Sequence, residues 1–310
     1  EEFVMSNTVR VRFAPSPTGY IHLGNVWTAF LAWLQVRQQN GTLVLRIEDI
    51  DEQRSKPVYV KALLEDLAWL GLDWDEGPGK GGSYGSYIQQ ERYPLYEKAM
   101  QELQEKHLLY PCYCSRARLQ AIGAPHEGEH LVYDGHCYGM TEEQRRHMDR
   151  KPSWRCYGAF SDYLPRVCGD FVVRRADGLY AYQLAVAVDD GAMGITHVLR
   201  GRDLLSSTAQ QIWLMKVLEY RAPSYTHVPM LVDTSGNRLS KRQKGITVRS
   251  LRERGVMADA ILSALALAGR LVTEKRLYHK EELVRRCDFQ KMTTQDIVLD
   301  DTWLDELLHG

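Results

Sequence analysis

Past its first few residues the chain alternates β-branched and charged positions, "VRVRFAP" at 9–15, and this predicts a strand. "SPTGYIHLGN" follows with Pro17 and Gly19 as breakers and predicts a turn. "VWTAFLAWLQVRQQNG" sets apolar residues at helical spacing and stops at Gly41. "TLVLRIEDID" is nearly continuous in apolar residues until its acidic end, as in a strand buried on both faces. "VYVKALLEDLAWLGLDW" reads as an amphipathic helix. Strand, helix, strand, helix in this order predicts an α/β fold with a parallel sheet and right-handed crossovers.

The periodicity then fails. Residues 110–168 mix cysteines, aromatics, charges and glycines with little repeat, and predict an inserted unit held by something other than a large apolar core. "FVVRRADGLYAYQLAVAVDD" resumes a strand pattern around an Asp177-Gly178 turn, a hairpin signal. "ITHVLRG" is a further strand, "SSTAQQIWLMKVLEYRAP" a capped helix and "THVPMLVD" a last strand. Beyond it the spacing is helical to the end. The expected organisation is a catalytic sheet split between 8–109 and 169–236, an insertion over 110–168, and a basic loop with a helical domain over 237–310.

Composition adds little. The hydrophobic fraction of 44% and charged fraction of 25% are ordinary for a soluble domain. No apolar run nears the ~20 residues of a membrane span, and no basic-then-apolar leader opens the chain. A cytoplasmic protein without membrane contact is expected. The cysteines form no dense framework, so a close pair points to metal more than to a disulfide. Net charge is −1, yet residues 238–254, "RLSKRQKGITVRSLRER", are dense in Lys and Arg. On charge alone that run is a solvated helical face; its alternative is a phosphate-binding surface.

Two stretches carry chemistry. "RFAPSPTGYIHLGN" joins a strand to a helix N-terminus, where backbone donors and the helix dipole attract anions. His22 can donate to a phosphate chain, and Gly24 lets a flat group approach the backbone. The second stretch is Ser240-Lys241, after the last strand, placed to fold over a nucleotide held by the first strand. Lys241 would neutralise charge building on phosphate, with no side-chain nucleophile required.

Together "HLGN" and "RLSKR" resemble the His-Ile-Gly-His and Lys-Met-Ser-Lys-Ser signatures of class I aminoacyl-tRNA synthetases, with Asn25 and Arg238 as departures. "RFAPSPTG", "LRIEDID", "YAYQLAVAVDD" and "VLRGRDLL" resemble the glutamyl branch. The resemblance implies a doubly wound, Rossmann-type catalytic sheet and an ATP site of His22, Gly24, Asn25, Ser240 and Lys241, with His22 and Lys241 catalytic. It implies that Arg12, Ala14, Ser16, Glu48, Tyr182 and Arg200 line the glutamate site, with ATP and Mg2+ as co-substrate. Arginines suit two carboxylates and Glu48 suits the α-ammonium. For any single residue the competing reading is a structural ion pair, such as Arg46 with Glu48 or Asp49.

Cys112 and Cys114 stand one residue apart, and Tyr133, His136 and Cys137 follow about twenty residues later. Thiolates at this spacing can hold one structural zinc. The pattern is similar to that of the glutamyl-Q tRNA(Asp) synthetases, which implies Tyr133 as fourth ligand; from chemistry alone His136 is the rival. Cys156, Cys168 and Cys287 read as packing or surface residues.

Glutamyl-tRNA synthetases continue past such a loop into a helical domain that reads the anticodon, whereas this chain ends at Gly310. It is therefore expected to be of the shorter type. The resemblance then implies glutamate activation without tRNA and transfer to queuosine in the anticodon loop of tRNA(Asp). Two alternatives stay open: a truncated glutamyl-tRNA synthetase charging a 3′ end, and a non-catalytic RNA-binding or regulatory relative.

Overall fold

The structure is a computed structural model and describes residues 8–122, 133–158, 169–239 and 246–309. In chain order it runs β1 (Arg10–Phe13), α1 (Leu23–Gln38), β2 (Thr42–Leu45), α2 (Pro57–Leu70), α3 (Tyr93–Glu105) and β3 (Leu109–Cys112). Then come α4 (Arg116–Ile122), α5 (Glu142–Arg146), β4 (Ser153–Cys156), β5 (Phe171–Arg174), α6 (Tyr182–Ala192), β6 (His197–Gly201) and α7 (Leu205–Val217). Last are β7 (Ser224–Val228), β8 (Leu231–Val232), α8 (Val248–Glu253), α9 (Ala258–Ala268), α10 (Lys280–Arg286), β9 (Ile297–Val298) and α11 (Asp301–His309). Two units emerge: Glu1–Gln89 with Ile195–Asp203 and Ser224–Gly310, and Gln90–Gly194 with Leu204–Pro223.

The first unit is built on the expected parallel sheet, in the order β2-β1-β6-β7. Helix α1 is apolar nearly all round, and ten of its residues from Leu23 to Val36 are buried, as befits a helix covered on every side. Its Trp27 donates from Nε1 to the Pro229 carbonyl at 3.0 Å. A Cβ on Gly269 would stand 2.3 Å from the Trp27 ring, so only glycine lets α9 end there. Residues of α8 to α11 share one apolar core with α1 and the sheet.

The second unit holds the antiparallel sheet β3-β4-β5 with α3, α6 and α7. Its centre is polar and paired. Asp189 accepts from Arg92 Nε at 2.6 Å and from the Tyr96 hydroxyl at 2.8 Å, all three buried.

Several sequence expectations change in detail. The strand pattern over 171–190 is strand only in β5; after the Asp177-Gly178 turn a single bridge, Arg174 to Tyr180, closes the hairpin. The remainder is helix α6, buried continuously from Leu184 to Asp190. An unbroken apolar run fits a buried helix as well as a buried strand, and its small alanines favoured the helix. "THVPMLVD" divides at Pro229, which lacks the donor a central strand needs. β7 stays in the large sheet, and β8 pairs in parallel with β9, a strand inside the tail expected to be helical. Helix α7 begins at Leu205 with no side-chain cap, because a 3-10 turn over Arg202–Leu204 leads into it. β2 ends at Leu45; beyond it Arg46 N donates to Phe13 O and Ile47 N to Tyr87 O, which keeps the extended acidic end satisfied.

Candidate active site and metal centre

The turn after β1 is tied down by backbone bonds: Glu48 N donates to Pro15 O at 3.0 Å and Lys56 N to Pro17 O at 3.2 Å. Its exit is a reciprocal cap. His22 is the N-cap of α1 and its Nδ1 accepts from Gly24 N at 3.1 Å, while Asn25 Oδ1 accepts from His22 N at 3.2 Å. Such a cap is worth about 1 kcal/mol. It also fixes the imidazole tautomer. Nδ1 is an acceptor, so the neutral ring carries its proton on Nε2, which becomes the donor.

Two sequence inferences are refined by this cap. A Cβ on Gly24 would lie 2.9 Å from His22 Cε1 and 3.0 Å from Nδ1. Glycine is needed there to seat the imidazole, whatever else its lack of a side chain admits. Asn25, a departure from the family motif, works here through its carbonyl oxygen as an acceptor. A cleft lined by Ser16, Thr18, Tyr20, His22 and Asn25 opens over the turn.

Ser240 and Lys241 lie outside the described residues. Their described flanks are anchored in the first unit. Leu239 N donates to Leu231 O at 3.1 Å, and Arg238 bridges to Val232 and pairs with Asp203. On the far side Thr247 bridges to His22, and Val248 N donates to Ile21 O at 3.0 Å. Of the basic run, Arg249 pairs with Glu65 and lies 4.9 Å over the Tyr20 ring, and Arg252 lies over Trp69. These cations are engaged with their own chain, closer to the solvated-face reading than to a phosphate surface.

Of the expected glutamate set, Arg12 and Arg200 are buried on β1 and β6. The register Val11 with His197 makes β1 and β6 neighbours, and alternation along each strand puts Arg12 and Arg200 on one sheet face. Glu48, 8% exposed, pairs with the fully buried Arg46 at 3.0 Å. The structural pairing is thus present for Glu48, and it keeps a buried carboxylate compensated. Ser16 is exposed in the cleft wall and Ala14 is half-buried. Tyr182 opens α6 in the second unit, 38% exposed. Sequence reasoning missed Thr247, though Thr247-x-x-Ser250 carries the spacing of the capping box seen there.

The metal candidates converge in the second unit. Cys112 ends β3, and the sulfurs of Cys112, Cys114 and Cys137 all lie within 4.8 Å of one another. Cys114 Sγ is 3.6 Å from Cys137 Sγ, and the Tyr133 hydroxyl is 3.4 Å from Cys112 Sγ and 3.3 Å from Cys114 Sγ. A tetrahedral zinc with sulfur at about 2.3 Å sets its ligand atoms about 3.8 Å apart, so these donors fit it with little movement. His136 is exposed, and its ring nitrogens are not among the clustered donors. Burial pushes the Cys112 thiol up, but hydrogen bonds from Tyr133 and the Cys114 backbone, with Arg155, bring it down to about 7. Burial pushes Cys114 up to about 11 and raises the Tyr133 phenol as well. Around the cluster the apolar core is small, with Tyr110, Cys112, Tyr133 and Cys137 buried together. Cys156 is fully buried in β4 and Cys287 is buried in the first unit; Cys168 lies outside the described residues.

A parallel sheet with a capped histidine at the helix start after its first strand, and two buried arginines on one sheet face, defines an α/β class of fold. Residues 8–156 and 161–306 match the family described as tRNA synthetases class I (E and Q), catalytic domain, and the chain belongs to it. It is 45% identical over 304 residues to the Glutamyl-Q tRNA(Asp) synthetase of Symbiobacterium thermophilum, covering 92% of this chain and 94% of the relative. To the protein of the same name from Nitratidesulfovibrio vulgaris it is 42% identical over 320 residues, covering 97% and 99%. To the Glutamate--tRNA ligase of Sulfurihydrogenibium sp. it is 38% identical, covering 95% of this chain but 66% of the relative. The crystal structure of a glutamate tRNA ligase from Elizabethkingia meningosepticum in complex with its amino acid superimposes with a TM-score of 0.79 at 26% identity. It covers 97% of this chain and 68% of that one.

Proposed function

We propose that this enzyme joins L-glutamate to ATP as glutamyl-adenylate and passes the glutamyl group to queuosine in the anticodon loop of tRNA(Asp). The observation that carries the acceptor is the match, at 45% and 42% identity, to two Glutamyl-Q tRNA(Asp) synthetases along nearly their whole length. In the first step the glutamate α-carboxylate attacks the α-phosphorus of ATP and pyrophosphate leaves. In the second a hydroxyl of the acceptor attacks the activated carbonyl, loses its proton, and AMP leaves.

Catalysis here is positioning and charge stabilisation. His22 donates from Nε2 to the phosphate chain, held there by its cap. Lys241, carried over from the motif, balances charge on the leaving pyrophosphate, and Ser240 and Gly24 complete the ATP cradle. Arg12 and Arg200 receive the side-chain carboxylate, Glu48 the α-ammonium, with Ala14 and Ser16 in the turn beside them. Tyr182 is carried over on its motif alone. Magnesium accompanies ATP as part of the substrate. Cys112, Cys114, Tyr133 and Cys137 would hold a zinc that folds the insertion and takes no part in the chemistry. A cytoplasmic location is in keeping with cysteines kept as free thiols. Among the described residues no helix is long and apolar enough to cross a membrane.

The test offers glutamate, ATP and two preparations of tRNA(Asp), with and without queuosine. Labelling of the queuosine form alone is expected. Equal labelling of both, with release from the 3′ end, would mark a 3′-charging ligase. Glutamate-dependent ATP–pyrophosphate exchange without tRNA is expected, and Lys241→Ala should slow it about 100-fold.

A further inference from the structure

β7 runs beside β6 in parallel, with Val198 opposite Tyr225 and Arg200 opposite His227. All four side chains therefore stand on the sheet face that carries Arg12. The Arg200 guanidinium lies 5.1 Å over the Tyr225 ring, and its Nε reaches His227 Nε2 at 3.5 Å. The Tyr225 and His227 rings are 6.2 Å apart and nearly parallel, at 5°. A ring beneath the guanidinium plane and an acceptor at its inner nitrogen together restrict the two torsions that aim its outer nitrogens.

We propose that His227 and Tyr225 are positioning residues that set Arg200 for the side-chain carboxylate of the amino-acid substrate; this rests on the reading of Arg200 as a glutamate contact. The geometry needs His227 neutral, with its proton on Nδ1, since an imidazolium has no acceptor. Its surroundings favour that form: burial and the Arg200 charge both hold His227 below the ordinary histidine value, with only Asp203 opposing. A neutral imidazole also adds no further cation beside the arginines, so the substrate carboxylate meets a fork and not a diffuse cluster of cations. A long Arg side chain held in advance loses less freedom on binding than one that must find its partner.

The experiment is steady-state ATP–pyrophosphate exchange on the whole chain, with KM measured separately for glutamate and ATP. His227→Phe, which keeps a ring without an acceptor, should raise the glutamate KM about 10-fold and leave the ATP KM within about 2-fold. His227→Gln, which restores an acceptor, should recover most of that loss. Tyr225→Leu should raise the glutamate KM and Tyr225→Phe should not. In an Arg200→Ala background the His227→Phe effect should vanish, because positioning without the positioned group does nothing. An unchanged glutamate KM in His227→Phe, or a Gln variant as impaired as Phe, overturns the proposal and assigns His227 to strand packing. If Arg200→Ala itself leaves the glutamate KM unchanged, the reading of Arg200 fails first, and the proposal falls with it.

Discussion

A single methyl group at Gly24 would meet the imidazole that the helix start is built to hold. Gly24→Ala gains helix propensity of about 1 kcal/mol, which offsets a lost cap of similar size. The thermal midpoint should therefore move little, while glutamate-dependent exchange falls about 10-fold or more as Nε2 is displaced. Retained exchange would show that the ring's seat is unimportant. Asn25→Ala probes the other half: it removes the acceptor for His22 N and should cost about 1 kcal/mol in stability, read from a urea melt. At this scale the sequence marked the residues but not the cap they form. His22 and Gly24 were visible as a motif. That Gly24 serves His22, and that Asn25 contributes its oxygen, depends on a rotamer and a helix start that a residue pattern does not encode.

Among the helices, α2 carries an anomaly that no motif marked. Asp66 is 1% exposed and its Oδ2 has no hydrogen-bond partner. Burial raises its carboxyl above the ordinary 3.8, against the pull of Arg249 and Arg252 on α8. The folded value exceeds the unfolded one, so at neutral pH the native state holds a charge it would rather lose. As pH falls through the raised value the native state takes up a proton first, and relative stability improves until the unfolded chain titrates too. Asp66→Asn should therefore stabilise the protein at pH 8 by about 1 kcal/mol, with the gain closing as pH falls toward 4. A destabilised variant at pH 8 would mean that the arginines need this charge. Elements were legible where the alternation or a stop signal was clean, as in β1 and at Gly41 after α1. They were not where an apolar run lacked a period: α6 passed for a strand because all its faces are buried.

For the molecule as a whole, the parallel sheet could be read from the order of elements, and the close cysteine spacing pointed to the cluster of Cys112, Cys114 and Cys137. The folding of the C-terminal helices into the sheet's own core could not, since contacts of that sequence separation leave no local trace. The two units should respond differently to metal loss. Chelation, or Cys137→Ser, should remove one equivalent of zinc by elemental assay and lower an unfolding transition assigned to the second unit. The Trp27 environment in the first unit should stay intact. A single transition shifted as one would show that the insertion's metal supports both.

The bridge from Thr247 to His22, with Leu239 held to Leu231, also bears on how the enzyme meets ATP. Both described flanks of the segment bearing Lys241 are held within the first unit, which also carries His22. On the proposed role of Lys241, moorings this close in sequence would set its local concentration at ATP by a short tether. Loosening either mooring, for instance by Thr247→Gly, should then weaken ATP through dilution of that lysine while glutamate alone binds as before.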